Sequence, residues 1–141
     1  AELYSSHLFE HVDDLDGLMR EVERVLAVGG RLHVIVPHFS NAYFYSDPTH
    51  RRPFGLYTFS YYAKDPLLRR RVPTYDHEVR LRLESARLHF RSSTEFRTRY
   101  RIKEGLGRLV NASGWLQEFY EENLYGILPC YELEFELVKL A

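Results

Sequence analysis

The chain has 141 residues, of which 45% are hydrophobic, and its formal net charge is −1. This length and composition predict one domain, residues 1–141, with a buried core, and exclude an intrinsically disordered chain. The near-zero net charge argues against a general polyanion binder. A single cysteine, Cys130, excludes an internal disulfide and suits the reducing cytoplasm. No signal peptide is visible, and no apolar run approaches the roughly 18 residues of a membrane span.

The charge is distributed unevenly along the sequence. Residues 64–108 hold thirteen basic and six acidic side chains, whereas residues 1–63 and 109–141 are both acidic overall. A basic surface of this kind attracts anions such as an anionic substrate, a phosphate-bearing lipid or a nucleic acid. Because no nucleic-acid motif is present, we interpret the arginines as solvated side chains on an outer face. The sequence therefore does not predict nucleic-acid or membrane partners.

The first 37 residues predict a strand, a helix and a second strand. Residues 3–6 have the character of a strand end, and Asp13 or Asp14 is expected to cap the helix that follows. The apolar residues of this helix recur every three or four positions: Leu15, Leu18, Met19, Val22, Val25 and Leu26. The double glycine at Gly29 is expected to end the helix. The apolar strand 31–37 is then expected to be covered on both faces, within a right-handed βαβ unit.

The remaining sequence predicts further elements and one long aromatic connection. Residues 38–62 are crowded with phenylalanine and tyrosine, which is more typical of a lid or pocket wall than of a plain linker. Residues 79–91 alternate, but the phase slips at 84–87, which indicates a hairpin or a strong bulge. A helix broken near Gly114 is supported by six apolar residues: Leu106, Leu109, Val110, Leu116, Phe119 and Tyr120. Residues 131–137 alternate with glutamates and predict an antiparallel strand with one wet face.

The motif His7-Leu8-Phe9-Glu10-His11 is the H-x-x-E-H pattern of an inverted zinc-protease helix. Such a site needs both histidines on one continuous helix, about one turn apart. Too few residues are available here for such a helix, because a strand ends near Ser6 and the cap of a new helix follows at Asp13. A zinc hydrolase is therefore the less favoured alternative, and no metal ligand is assigned. The plainest alternative is that His7 and His11 only bind loop backbone.

The chain resembles the second half of class I, S-adenosylmethionine-dependent methyltransferases of the small-molecule type. The resemblance rests on SHLFEHV at residues 6–12, RVLAVGG at 24–30 and RLHVIVP at 31–37. The loop DPTHRRPF at 47–54 and the ending at 119–140 are similar to later parts of the same family. The resemblance implies an α/β fold, a partial Rossmann-like methyltransferase sheet of strands four to seven, mixed parallel and antiparallel, with flanking helices.

The family binds its cofactor mainly through a glycine-rich turn after the first strand and an acidic residue after the second. This sequence contains no such turn, and Met19, its only methionine, lies inside the predicted helix. We therefore expect the cofactor-binding half and the native start to be missing. The chain alone is then expected to be inactive, and binding of S-adenosylmethionine is expected only in an intact parent. An unpaired first strand is also expected to drive self-association through residues 1–6 or the surface beside them.

Ligands of open α/β sheets lie beyond the carboxyl ends of the strands. The resemblance places the methionine part of the cofactor beside the end of the first strand, and implies the cofactor-binding residues Ser6, His7 and Leu8. The candidates for binding a small-molecule acceptor follow the second strand, and 38–62 would act as their aromatic lid: His38, Tyr43, Asp47, His50 and Tyr57. Histidine suits proton transfer near neutral pH, which makes three residues candidate catalytic bases: His7, His38 and His50.

These observations predict methyl transfer from S-adenosylmethionine to an unidentified small molecule in the intact parent. The alternative outside catalysis is a binding or assembly module that uses the aromatic residues and the arginine face. His50 and its neighbours can also be explained as turn residues, since Asp47-Pro48-Thr49 is favourable turn chemistry. The aromatic group can likewise be explained as packing.

Overall fold

A computed structural model of the protein describes residues 1–73, 75 and 80–141. Four strands form its sheet: β1 (Glu2–Ser6), β2 (Arg31–Pro37), β3 (Leu81–His89) and β4 (Glu132–Lys139). Four helices accompany them: α1 (Leu15–Val25), α2 (Ala42–Ser46), α3 (Arg97–Val110) and α4 (Gly114–Asn123). Single 3-10 turns occupy Phe9–His11, Thr58–Tyr62 and Thr94–Phe96. The predicted α/β class is confirmed. None of the helices within the described residues is long and apolar enough to pass through a membrane.

The four strands form one mixed sheet in the order β1-β2-β4-β3. Strands β1 and β2 run parallel and are joined through α1, as the βαβ pattern predicts. Strand β4 lies between β2 and β3 and runs antiparallel to both, which confirms the prediction for the last strand. Because β1 and β2 are parallel, their carboxyl ends meet at one edge of the sheet, which is also where β4 begins.

Helix α1 begins where the sequence predicts and ends earlier than predicted. The Asp14 side chain caps it by accepting a hydrogen bond from the backbone N–H of Gly17 at 2.8 Å. The last helical residue is Val25, and Leu26 already has an extended backbone. The prediction that the double glycine stops the helix is therefore wrong. Gly29, with φ of +77°, instead supplies a left-handed turn between the helix and β2, where glycine has no Cβ penalty.

Only one face of the sheet is fully buried, so the prediction that β2 is covered on both faces is wrong. Leu32, Val34 and Val36 are buried, and they belong to the same core as residues of α1, α3 and α4. The alternate residues of β2 lie on the other face, which is only partly covered. Their neighbours on β4 there are glutamates: His33 lies opposite Glu136, and Ile35 lies opposite Glu134. This polar face explains why apolar residues alternate with glutamates in β4, because the glutamates lie on the partly covered side of the sheet.

Strand β3 is one continuous strand with a bulge, and no hairpin forms within it. Its register against β4 shifts between Leu83 and Ser85, the position where the hydrophobic phase slips in the sequence. The shift lets the apolar side chains on both sides of it face the core: Leu81, Leu83, Ala86 and Leu88. Val79, which the sequence analysis included in this strand, lies outside the described residues. One extra residue in β3 thus turns the apolar side chains of the second half of the strand towards the core.

The predicted break between α3 and α4 is confirmed, but the predicted buried face is only partly right. Helix α3 ends at Val110, and Ser113 caps α4 by accepting from the backbone N–H of Leu116 at 3.2 Å. Val110 and Tyr120 are buried as predicted. Leu109 is 61% exposed and Phe119 is 43% exposed. Polar side chains take part in the contact with the sheet instead, which periodicity of apolar residues does not detect.

The aromatic segment 38–62 contributes to the core as well as to the surface. Phe54 and Phe59 are fully buried, and Phe59 packs edge-on against Phe9 and Phe135 at ring distances of 5.8 and 4.8 Å. By contrast, Tyr43 and Tyr45 of the short helix α2 are mostly exposed. This burial explains why so many aromatic residues follow β2: they fill one end of the core where no strand lies.

Candidate functional site

The carboxyl end of β1 turns sharply at His7. The His7 backbone N–H still donates to the Ile35 carbonyl at 2.9 Å, so the residue extends the β1–β2 ladder by one bond. Its φ of +53° is in the left-handed region, which is uncommon for a residue other than glycine. The chain then forms the 3-10 turn Phe9–His11 beside the edge of the sheet. Ser6 and Leu8 flank His7 and are exposed at the same edge.

The His7 side chain lies between two buried carboxylates. Its Nδ1 is 3.4 Å from Oε1 of Glu10, and its Nε2 is 3.2 Å from Oε2 of Glu132 at the start of β4. Arg91 lies 3.4 Å from the other oxygen of Glu132. About half of the His7 side chain, 48%, is exposed. His7 is therefore held in place by acidic neighbours while remaining open to a ligand.

Glu10 is a fully buried carboxylate with no hydrogen bond to either oxygen. Its nearest charged or chargeable neighbours are His7 and His11, whose Nε2 is 3.8 Å from Oε1. A buried carboxylate without a hydrogen bond is costly, because most buried side-chain oxygens in proteins have a hydrogen-bond partner. Glu10 therefore needs a physical reason for its position.

The loop after α2 is tied to the 3-10 turn by several hydrogen bonds. The Arg51 backbone N–H donates to the Glu10 carbonyl at 2.7 Å, and the Arg52 guanidinium donates to the Val12 carbonyl at 3.3 Å. His11 Nδ1 lies 3.3 Å from the Thr49 carbonyl. These contacts bring residues about forty positions apart in sequence to one place. They are the reason that His50 lies beside His11.

Asp47 shapes this loop. Its Oδ1 accepts hydrogen bonds from the Thr49 backbone N–H at 2.8 Å and from the Thr49 hydroxyl at 2.5 Å. The hydrogen bond from the Thr49 hydroxyl, and to a smaller extent the one from the Thr49 backbone N–H, hold the pKa of the Asp47 carboxyl below its usual range. The other oxygen, Oδ2, lies 3.5 Å from His50 Nε2. The turn chemistry seen in the sequence is thus present, and it also presents a carboxylate oxygen to His50.

His11 and His50 form the second part of the cluster with Glu10. Their rings are 4.8 Å apart at an angle of 61°. His50 is 12% exposed, and its Nδ1 lies 2.7 Å from the Phe44 carbonyl. Because a carbonyl only accepts, this nitrogen carries a hydrogen, and in the neutral ring Nε2 carries the lone pair. One potential ligand atom from each of Glu10, His11 and His50 lies within 4.8 Å of the others.

The H-x-x-E-H motif does not form the helix that an inverted zinc-protease site requires. Only Phe9–His11 is helical, as a single 3-10 turn, and His7 precedes it with a left-handed backbone. The motif residues still converge, but through a turn and with His50 from a distant loop. The zinc-hydrolase alternative loses its structural basis in this part of the chain.

His38 is completely buried and its ring is fully engaged. Nδ1 accepts from the Ser40 backbone N–H at 3.0 Å, so the hydrogen is on Nε2, which lies 3.1 Å from Oε2 of Glu121. The same Glu121 oxygen accepts from the Leu56 backbone N–H at 2.6 Å. This arrangement holds the segment after β2 against α4. It gives His38 no access to an acceptor, so its suggested catalytic role stays a prediction that the geometry does not favour.

The two tyrosines of the predicted acceptor set lie in different places. Tyr43 lines a cavity of about 210 Å³ together with three basic side chains: Arg91, Arg99 and Lys103. Tyr57 instead donates to Glu118 at 3.0 Å and lies under Arg70, at 4.8 Å from its ring. Burial, and then the Glu118 hydrogen bond, raise the pKa of Tyr57. The structure thus brings His7, Asp47 and His50 close to Glu10, places Tyr43 at a basic cavity, and ties Tyr57 into packing.

Sequence reasoning missed the site roles of Glu10 and Glu132. The motif names Glu10 but does not predict its burial, although its place between two histidines is a usable signal. Glu132 was assigned to a wet face by alternation, yet it is 6% exposed because His7 and Arg91 cover it. Only the strand order, which the sequence does not state, brings the start of β4 to the end of β1.

The comparisons with known proteins add no family assignment. No protein-family model matches the chain, and no curated protein matches it. The functional argument therefore depends on the residues and their geometry.

Proposed function

We propose that this chain is the acceptor-side half of an S-adenosylmethionine-dependent methyltransferase acting on a small molecule. One observation carries the proposal: His7, Glu10, His11 and His50 converge at the carboxyl edge of β1, next to the exposed residues Ser6 and Leu8. This is the edge where open α/β sheets bind ligands. The parallel pair β1 and β2, followed by antiparallel strands, is the arrangement that the sequence resemblance implies.

The chemistry assigned to this edge is an in-line displacement. When bound, S-adenosylmethionine would supply a methyl group that would pass from its sulfonium sulfur to a nucleophilic atom of the acceptor and leave a neutral thioether, and Ser6, His7 and Leu8 would hold its methionine part. The acceptor proton passes to a base. Among the candidates, His7 is the one that lies at the edge with a half-exposed side chain. Because its two ring nitrogens face Glu10 and Glu132, taking the acceptor proton requires the ring to turn one nitrogen towards the acceptor. The rate gain comes mainly from holding acceptor and donor in line.

The cofactor itself is expected to bind only when a glycine-rich turn is supplied from outside residues 1–141. Our proposal therefore concerns the polypeptide encoded by the complete reading frame that contains these residues. A reducing compartment such as the cytoplasm remains part of the proposal, in keeping with the buried lone thiol of Cys130.

Calorimetric titration of S-adenosylmethionine into that polypeptide tests the proposal. We expect one site per chain with a dissociation constant between about 1 and 100 μM, a common range for enzyme substrates. Leu8→Asp should weaken binding at least tenfold, because it places a charge where the methionine part would lie. Val28→Asp is the matched control, since both aliphatic side chains are exposed, at 52% and 66%, but Val28 lies at the opposite end of the sheet.

Two results would count against the proposal. One is the absence of binding at millimolar cofactor. The other is equal weakening by both substitutions, which would place the cofactor away from the β1 edge.

A non-catalytic assembly module is the second candidate, and the open edge of β1 favours it. In the described part of the chain, β1 pairs only with β2, and Tyr4 on it is 71% exposed. Such an edge can recruit another strand without any chemistry. Cofactor binding by the complete polypeptide distinguishes the two candidates.

A further inference from the structure

We propose that Glu10, His11 and His50 form a binding site for one divalent first-row transition-metal ion. The inference goes beyond the proposed methyl transfer and does not require it. Four observations support it: the ligand types and their distances, the partners of the second ring nitrogens, the buried Glu10 oxygens that have no hydrogen bond, and the hydrogen bonds that hold the three residues together.

The ligand set and its spacing suit such an ion. Two imidazoles and one carboxylate are typical ligands of zinc, manganese, iron and cobalt, whereas magnesium and calcium prefer oxygen ligands alone. The three ligand atoms lie within 4.8 Å of one another. With metal–ligand bonds of about 2.1 Å, atoms in a tetrahedral site are about 3.4 Å apart. Closing the site therefore requires side-chain shifts of about 1.4 Å at most, which imidazole and carboxylate rotations can supply.

The second nitrogen of each imidazole already has the partner that metal-binding histidines usually have. His50 Nδ1 faces the Phe44 carbonyl at 2.7 Å, and His11 Nδ1 faces the Thr49 carbonyl at 3.3 Å. The Thr49 hydroxyl lies 3.0 Å from the same His11 nitrogen and gives its own hydrogen to Asp47. Both Nδ1 atoms are therefore donors, and in the neutral rings both Nε2 atoms are free to bind a metal. Such partners fix the tautomer and the ring orientation of a metal ligand.

The buried Glu10 carboxylate is the observation that points most directly to a cation. Only 1% of its side chain is exposed, and neither oxygen has a hydrogen bond. The backbone carbonyl of the same residue is already held by Arg51. A buried carboxylate is stable when it is paired with charge or coordinates a metal. An ion between Glu10 and the two imidazoles would satisfy that requirement.

Hydrogen bonds hold the residues around the site, and one side of the site is open. Glu10 and His11 lie on a 3-10 turn that is pinned to the loop by Arg51 and Arg52, and the Asp47 turn fixes His50. Asp47 Oδ2 lies 3.5 Å from His50 Nε2, so it is close enough to become a fourth ligand. His11 is 34% exposed, which leaves room for water or a ligand oxygen at the remaining positions.

If the proposed function also holds, the ion gives the acceptor a chemical class. A metal at this place would bind an oxygen atom of the acceptor beside His7 and lower the pKa of a bound hydroxyl group. The acceptor predicted in this way, a hydroxyl-bearing molecule methylated at oxygen, rests on the proposed function. The metal site itself is independent of it.

The test measures metal binding by the untagged protein. Equilibrium dialysis against Zn²⁺, Co²⁺ or Mn²⁺ at micromolar free metal, followed by elemental analysis, should give one bound ion per chain for at least one of the three metals. With Co²⁺, visible absorption reports the ligand field directly. Circular dichroism confirms the fold of every variant.

Three substitutions remove the proposed ligands one at a time, and a fourth substitution serves as a matched control. His11→Asn, His50→Gln and Glu10→Gln should each weaken binding at least tenfold. His89→Asn should leave binding unchanged, since His89 is 30% exposed and also faces a glutamate, Glu134 at 2.7 Å, but lies outside the cluster. Glu10→Gln adds a second readout: without metal it should melt at or above the wild-type temperature, because it removes a buried charge. With metal, the wild type and His89→Asn should gain stability, and Glu10→Gln should gain less.

The site is rejected if no ion binds below 1 mM, or if neither the His11 nor the His50 substitution weakens binding. It is also rejected if His89→Asn weakens binding as much as they do. Failure here is distinguishable from failure of the proposed function, because S-adenosylmethionine binding is measured separately. Metal without cofactor binding leaves the site standing, and cofactor without metal binding leaves only the methyltransferase proposal.

Discussion

At the residue scale, Glu10 and Cys130 are both buried near the carboxyl edge of the sheet, but their surroundings differ. Neither carboxylate oxygen of Glu10 has a hydrogen-bond partner. The Cys130 thiol lies 3.3 and 3.4 Å from the carbonyls of Glu132 and His89, so its S–H has acceptors. The first arrangement is typical of a ligand, whereas the second is typical of a small apolar side chain in a core.

We expect Cys130 to be chemically inert in the folded protein. Burial raises the pKa of its thiol, so the reactive thiolate is scarcer than in a free cysteine at every pH near neutrality. A maleimide reagent at pH 8 should label it only after denaturant is added. Raising the pH to 9.5 should not restore labelling. Tyr45→Cys, which places a thiol at a position that is 72% exposed, is the matched control and should react within minutes. Rapid labelling of native Cys130 would show that the core around it opens.

At the element scale, the turn between α3 and α4 protects the outer edge of β3. Asn111 accepts from the Leu88 backbone N–H at 2.9 Å and donates to the Leu88 carbonyl at 2.7 Å, so its amide imitates a neighbouring strand. Gln117 donates to the Ala86 carbonyl at 2.7 Å and to Asn111 at 3.0 Å. Two side-chain amides thus satisfy the backbone just past the bulge. This is a covered sheet edge of the kind that natural proteins favour.

Asn111→Ala should destabilise the protein by about 2 to 3 kcal/mol, because it leaves two backbone groups of β3 and the Gln117 amide short of partners. Asn123→Ala is the control, since Asn123 has one exposed hydrogen bond to the Phe119 carbonyl at 3.0 Å. Its cost should stay below about 0.5 kcal/mol. Urea unfolding followed by circular dichroism measures both. Equal costs for the two substitutions would contradict the edge-protection role.

The same elements show how far sequence reasoning reaches. Periodicity located α1, and the phase slip located the bulge in β3, because both signals depend on local geometry. The end of α1 and the inner faces of α3 and α4 were misjudged. Helix α1 ends several residues before the left-handed turn at Gly29, so the glycine does not mark the end of the helix. Asn111 and Gln117 contact the sheet through side-chain amides, which a pattern of apolar residues does not reveal. The cluster with His50 depends on loop docking, which no local signal encodes.

At the scale of the whole molecule, the two edges of the sheet differ. The β3 edge is covered by Asn111 and Gln117, and Lys64 adds a backbone hydrogen bond to the Leu81 carbonyl at 3.0 Å. Strand β1 pairs only with β2 in the described part of the chain. A sheet with one open edge has a preferred direction of association. The open edge is also where a preceding strand would pair in the proposed methyltransferase.

We predict that the protein self-associates through β1. Light scattering coupled to size-exclusion chromatography should show a dimer at tens of micromolar, an order-of-magnitude figure for weak edge contacts. Tyr4→Lys should shift it to a monomer, because lysine on an edge strand disfavours pairing. Tyr45→Lys is the control, since the two tyrosines are equally exposed, at 71% and 72%, and Tyr45 lies on α2. A wild-type monomer at all concentrations would contradict the prediction.

The most direct test of the central claim is a crystal structure of the complete reading-frame polypeptide with S-adenosylhomocysteine bound. The account predicts a strand paired to the open edge of β1, and the methionine part of the ligand beside Ser6, His7 and Leu8. The thioether sulfur should point towards the cluster of Glu10, His11 and His50. A ligand bound elsewhere, or a β1 edge left unpaired beside a bound ligand, would contradict the account.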